Sequence, residues 1–258
     1  MDTVSHDGRE TAYRQTKPGE DGPGVVYVHG SGGSHRIWAY EYGPNGPSDP
    51  AVALDLSGHG ESDDIGTEAG PETLDAYADD VIAVAEATDA SVLVGNSLGG
   101  AVVQHVLLER DFDAAAAVLT GSGAKLAVDE GLRDLLADDF ETAIEVLHGD
   151  DLLFHDPDEQ MIEQSVGTIR EAGQAVTRRD FLTCHEFDVR DRVGEIDVPV
   201  LAVTGEHDGL TPPWYHEFLA EQIPESQLAL IEDAAHLAMA EQPVAFTETV
   251  RTFLDERL

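Results

Sequence analysis

An α/β fold built on a mostly parallel, helix-flanked sheet is the architecture this sequence predicts, and three observations point to it. Short apolar segments rich in β-branched residues alternate along the chain with amphipathic segments of helical length. The apolar segments show no inside–outside alternation, which suits strands covered on both faces. The 258 residues suffice for one large α/β domain with an insertion, or for two small domains.

In chain order, Asp7-Gly8 between two extended segments predicts an N-terminal hairpin. Residues 25–28 and 51–54 are the first buried strands. The helix over 73–87 carries Leu74, Tyr77, Ala78, Val81, Ile82 and Ala85 at helical spacing, with Thr73 as its N-cap. Residues 91–94 form a strand, 98–109 a helix and 115–119 a strand. About 80 residues then pass without a strand, where a typical connection has 2–6. Helical patterns over 129–147, 157–172 and 174–184 predict a helical cap inserted after the sixth strand. The expected division is therefore core 1–121, cap 122–186 and core 187–258. The second core part holds strands at 200–203 and 228–231. Its helices run over 214–222, opened by Pro212-Pro213, and over 243–257. Such alternation implies βαβ units and a doubly wound sheet.

The charge balance is extreme: 52 Asp plus Glu against 14 Lys plus Arg, a formal net charge of −38. Lys17 and Lys125 are the only lysines, and the acidic residues are spread along the whole chain. Polyanionic partners such as nucleic acid or anionic membranes would be repelled. The composition resembles that of cytoplasmic proteins from extreme halophiles, where acidic residues replace lysine. No apolar run reaches the roughly 20 residues that span a bilayer, and the first residues lack the basic and apolar regions of a signal peptide. A cytoplasmic location is expected. The single cysteine, Cys184, excludes an intrachain disulfide and a cysteine metal cluster, and is expected to be an apolar filler.

Chemistry concentrates at Gly95-Asn96-Ser97-Leu98-Gly99-Gly100, a G-x-S-x-G pattern set between a buried strand and a helix. A sharp strand-to-helix turn leaves no room for side chains two residues either side of its tip, and lifts the tip hydroxyl clear of the sheet. Ser97 needs a base and an orienting acid. Asp208 follows the strand at 200–203, and His236 follows the strand at 228–231. Both therefore belong at the carboxyl ends of parallel strands, where such sites collect. Glu206 and Asp233 are the local competitors for the acid. Glycines in His29-Gly30-Ser31-Gly32-Gly33-Ser34 let backbone N–H groups face a pocket, so Ser31 and Leu98 N–H are the expected oxyanion donors. That turn fits neither common nucleotide-binding glycine pattern.

Together with Asp55-Leu56-Ser57-Gly58-His59-Gly60-Glu61-Ser62, Gly205-Glu206-His207-Asp208 and Ala235-His236, these motifs resemble the cap-bearing α/β-hydrolase superfamily. The resemblance implies an eight-stranded, mostly parallel sheet, a Ser97-Asp208-His236 triad and no cofactor. It makes residues 55–62 a structural loop under the site. Serine at position 97 separates the chain from the haloalkane dehalogenases and epoxide hydrolases, which place aspartate there. His148, His155, His185 and His216 lack neighbouring ligands at metal spacing, so no metal is expected. His105 is expected to be a packed or hydrogen-bonded core residue. His35, Arg36 and Trp38 either touch substrate or pack the helix after the glycine turn.

The leading expectation is hydrolysis of a small carboxylic ester, or related acyl compound, through an acyl-Ser97 intermediate. The acyl substrate is a small molecule, and the oligomeric state stays open. One alternative is carbon–carbon bond hydrolysis of the meta-cleavage type, suggested by Asn96 before the serine. Another is a ligand-binding protein on the same scaffold without turnover.

Overall fold

The computed structural model describes residues 1–16, 23–43, 46 and 50–258. Strands β1 (Asp2–His6) and β2 (Arg9–Thr16) form the antiparallel hairpin. Its two-residue turn has Asp7 at φ 47° and Gly8 at φ 79°. Positive φ at both positions matches the twist of the flanking strands. There follow β3 (Gly24–Val28), β4 (Ala51–Leu54), α1 (Pro71–Ala87), β5 (Ala90–Asn96), α2 (Leu98–Glu109) and β6 (Ala116–Thr120). Helices α3 (Glu130–Asp138), α4 (Phe140–Leu147) and α5 (Glu159–Glu186) come next. The chain then returns through β7 (Val200–Gly205), α6 (Pro213–Gln222), β8 (Ser226–Ile231), α7 (Ala238–Glu241) and α8 (Pro243–Arg257).

The eight strands make one sheet in the order β1-β2-β4-β3-β5-β6-β7-β8. Pairings β1–β2 and β2–β4 are antiparallel, and the rest are parallel. The missing alternation in the strand sequences has its cause here. Val26, Val28, Leu93 and Leu119 face one layer with Leu74, Tyr77, Leu98 and Val102 of α1 and α2. Their neighbours Val25, Tyr27, Val94 and Val118 face the other layer with Phe246, Val250 and Phe253 of α8. Both faces of each central strand are covered by helices. The inserted helices carry their own small apolar cluster of Leu132, Leu136, Ala143 and Leu147.

Four local expectations change. Thr73 does not cap α1: the helix starts at Pro71 with Gly70 at the N-cap, and the buried Thr73 hydroxyl donates to the Glu68 carbonyl (2.7 Å). Proline at the first helical position sets φ in advance and loses no intrahelical bond. The pattern over 129–147 is two helices, because Asp139 ends α3 and its carboxylate caps α4 through Thr142 N–H (3.2 Å). Conversely, 157–172 and 174–184 join in one long α5, kinked at Gly173 (φ 80°, ψ 162°). His105 is hydrogen-bonded but only part-buried; its Nε2 meets the half-exposed Asp75 carboxylate at 2.8 Å. Among the described residues, no helix is long and apolar enough to cross a membrane.

Candidate active site

Strand β5 runs buried to Asn96, and α2 begins at Leu98, so the chain reverses direction at Ser97. Ser97 has φ 55° and ψ −115°, a left-handed conformation that ordinary residues avoid. The surroundings hold it there. Its N–H donates to the Thr120 carbonyl (3.0 Å), and its carbonyl accepts from Gly100 N–H (3.0 Å) and the Ser122 hydroxyl (2.9 Å). A Cβ on Gly95 would lie 2.3 Å from the Gly99 carbonyl oxygen, and one on Gly99 2.4 Å from that of Val28. Both glycines are therefore steric requirements of this elbow.

The acid and base candidates meet at the carboxyl ends of β7 and β8. Asp208 Oδ2 lies 3.0 Å from His236 Nδ1. The same carboxylate accepts from Leu210 N–H, Thr211 N–H, and the Thr204 and Thr211 hydroxyls, all within 2.8–2.9 Å. Burial alone would push the Asp208 carboxyl up, but His236 and these donors outweigh it and hold the pKa below the usual value. The two competing carboxylates turn elsewhere. Glu206 faces His207 (3.1 Å), and Asp233 is a turn residue at φ 53°.

Ser31 is the second residue of a turn closed by Gly33 N–H to the Gly30 carbonyl (3.0 Å), so its own N–H is not used in that bond. Leu98 N–H belongs to the first turn of α2, where leading N–H groups have no intrahelical acceptor. Ser31, Ser97 and His236 line one cavity of about 1160 Å³. Leu132, Leu135, Leu153, Phe154, Met161, Ile169 and Phe181 form much of its wall, all from the insertion. Leu136 packs with Ala143 and Leu147 inside the insertion, and Ile144 is buried as well. Of the residues after the glycine turn, Arg36 lines the cavity and is tied to Glu171 (2.6 Å). His35 is held by Asp55 (2.9 Å), and buried Trp38 packs on Tyr27 (5.1 Å between centroids).

Sequence reasoning missed several supports. Thr204 and Thr211 saturate Asp208, Ser122 braces the elbow, and Asp180 of α5 enters beneath the glycine turn. Asp180 is fully buried, although Arg178-Arg179-Asp180 reads as a solvated helix face. Helical spacing offered a signal, since Thr177, Asp180 and Cys184 share one face with the apolar contacts of α5.

His29 and His216 are buried acceptors for Leu56 N–H and Ser122 N–H, each at 3.0 Å. Burial depresses both to about 4 from 6.5. The unfolded chain takes up these protons near 6.5, while the folded chain refuses them until about 4. Stability therefore falls as pH drops through that window, by up to about 3 kcal/mol per histidine. Urea melts at about 2 M KCl, where carboxylate repulsion is screened, should show this loss. His216→Gln should flatten the slope; an unchanged slope contradicts the assignment.

One metal expectation needs correcting. His155 does have neighbours: ligand atoms of Asp151, His155 and His207 lie within 4.8 Å of one another. The two imidazoles, however, stack face to face at 3.6 Å and 6°, so their lone pairs run side by side rather than toward a common ion. His155 Nδ1 is also already engaged by Asp151 (2.6 Å).

Residues 25–249 match the alpha/beta hydrolase family. A pimeloyl-[acyl-carrier protein] methyl ester esterase of Neisseria meningitidis serogroup A is 30% identical over 246 residues, covering 90% of this chain and 76% of that protein. The structure of a thermophilic esterase superimposes with a TM-score of 0.86 at 29% identity, covering 98% of this chain and 96% of that one. An esterase from Exiguobacterium antarcticum shares the fold with a TM-score of 0.85 at 19% identity, covering 98% of each chain. The eight-stranded sheet, the strand-to-helix elbow and this match agree: the chain belongs to the alpha/beta hydrolase family and is a hydrolase.

Proposed function

We propose that the protein is a serine esterase that cleaves uncharged carboxylic esters through an acyl-Ser97 intermediate. The observation that carries this reading is His236, paired with buried Asp208 and lining the same apolar cavity as the strained Ser97 elbow. His236 removes the Ser97 proton as Oγ attacks the ester carbonyl, then delivers it to the leaving alcohol. Asp208 fixes the tautomer and stabilises the imidazolium. Ser31 and Leu98 N–H receive the negative charge of the tetrahedral intermediate, and water activated by His236 releases the acid.

Residues 122–186 act as a cap in this reading, and their apolar side chains receive the acyl chain. Arg36 is the only lysine or arginine among the described lining residues, and it is neutralised by Glu171. A carboxylate on the acyl chain would lose its water without gaining a counter-ion. Ester hydrolysis is also the reaction in the names of the relatives. Asn96 no longer argues for carbon–carbon hydrolysis, because its amide holds the Thr120 carbonyl (3.3 Å) and the His236 carbonyl (3.4 Å). The acidic surface suits a salt-loaded cytoplasm, where we place the protein.

The test uses p-nitrophenyl esters at about 2 M KCl. An optimum at acyl chains of about four to eight carbons is expected from the cavity. Mono-p-nitrophenyl adipate should be cleaved at least about 50-fold less efficiently than p-nitrophenyl hexanoate, because desolvation survives in salt. Equal rates for the two would sink the uncharged-substrate reading. Absence of both hydrolysis and fluorophosphonate labelling at Ser97 would sink the esterase reading.

A further inference from the structure

We propose that Asp180, on the inserted helix α5, is a positioning residue that fixes the oxyanion turn. The proposal rests on the serine-esterase reading of the site. The turn Gly30–Gly33 has Gly32 at φ 62° in its third position, and Ser31 before it is not among the positive-φ residues. This is the type II arrangement, which differs from type I by a flip of the peptide joining Ser31 to Gly32. The N–H of that peptide donates to Asp180 Oδ2 at 2.9 Å. A carboxylate there favours the N–H orientation and repels the carbonyl that a flip would present.

The anchor is built, not incidental. Asp180 is fully buried, and each oxygen is engaged: Oδ2 also accepts from His59 Nε2 (2.9 Å), and Oδ1 from the Tyr77 hydroxyl (2.7 Å). The same face of α5 closes over the turn at two more points. A Cβ on Gly32 would meet Thr177 Oγ1 at 3.0 Å, and the Ser31 hydroxyl lies 3.7 Å from Cys184 Sγ. Burial alone would raise the Asp180 pKa, yet the facing His59 and the N–H donor hold it below the usual value. The turn that presents Ser31 N–H is thus held from the insertion, and its geometry depends on α5 being docked.

The test compares Asp180→Ala, Asp180→Asn and Thr183→Val with wild type on p-nitrophenyl butyrate, with folding checked by circular dichroism. Asp180→Ala should lower kcat about 100-fold with KM changed less than about threefold, the pattern of a lost transition-state interaction. Asparagine can keep an oxygen toward Gly32 and His59 while its NH₂ turns to the Tyr77 oxygen, so Asp180→Asn should fall only about 3- to 10-fold. Thr183 accepts Gly70 N–H (2.9 Å) from the same helix, away from the turn. Its valine variant should lose stability and keep kcat. Folded Asp180→Ala with wild-type kcat, or a loss confined to KM, overturns the proposal. If the alanine variant does not fold, Asp180→Asn decides: wild-type kcat, or a loss in KM alone, overturns it. Wild-type protein that fails to turn over ester would indict the esterase reading instead.

Discussion

Ser97→Ala should lower kcat for ester hydrolysis by about 10⁵-fold or more and leave KM within about threefold. The change removes one oxygen and little else. Ser97 makes no side-chain capping bond to α2, so its hydroxyl does not stabilise the helix start. Alanine carries the same Cβ at φ 55°, so the elbow is no more strained than before. The loss is therefore chemical and not a loss of fold. A residue of rate over water should persist, because in the proposed site the Ser31 and Leu98 N–H groups and the apolar cavity would still bind and polarise the ester. Asp208→Asn should fall about 10⁴-fold, since an amide facing His236 Nδ1 favours the wrong tautomer. Its asparagine also loses acceptor capacity toward Thr204, Thr211 and Leu210, so a lower melting temperature should accompany the lower rate. Stopped-flow and steady-state rates at equal enzyme concentration measure both. Ser97→Ala retaining more than about 1% of wild-type kcat would remove Ser97 from the nucleophile's role.

The fold was legible because its signals are local and repeated. Val25 to Val28 are apolar without interruption since both sheet faces are covered, and that pattern survives in the bare sequence. Ser97, Asp208 and His236 could be picked out because each follows a strand that ends in glycine or a turn. The structure brings Asp208, and neither Glu206 nor Asp233, to His236. What was not legible depends on contacts distant in sequence. Asp180 and Gly32 are 148 residues apart, and the pairing follows only from how α5 lies on the turn. No sequence pattern marks Thr211, yet it donates twice to Asp208. The end of α3 and the start of α4 shared one helical period, so only the Asp139 cap separates them.

Lowering KCl from about 2 M to about 0.05 M should unfold the protein or reduce its melting temperature by about 15 °C or more, and remove activity with it. The cause is uncompensated charge. Cations are too few to answer 52 carboxylates, and several are already committed, either to two carboxylates each or in pairs to one. Arg110 faces both Asp75 and Asp79; Lys125 and Arg190 both face Asp188; Arg192 bridges Glu109 and Glu195. Exposed pairs of this kind contribute at most about 1 kcal/mol each, so they leave the net −38 standing. Two like charges about 10 Å apart repel by roughly 0.4 kcal/mol in unscreened water. At about 1 M salt the screening length is about 3 Å, which leaves only a few hundredths of that energy. Folding gathers the charges more closely than the unfolded chain does, so the unscreened repulsion acts against the folded state. Sucrose at matched osmolarity strengthens burial without screening charge, and should restore little. Magnesium chloride at well below the molar KCl concentration should restore more, because screening rises with the square of ionic charge. Replacing exposed acids that form no ion pair among the described residues, such as Glu86→Gln with Glu217→Gln, should shift the midpoint to lower KCl. Full circular dichroism and activity in about 0.05 M KCl would show that the charge is borne without salt, and would sever the halophile-like composition from any need for it.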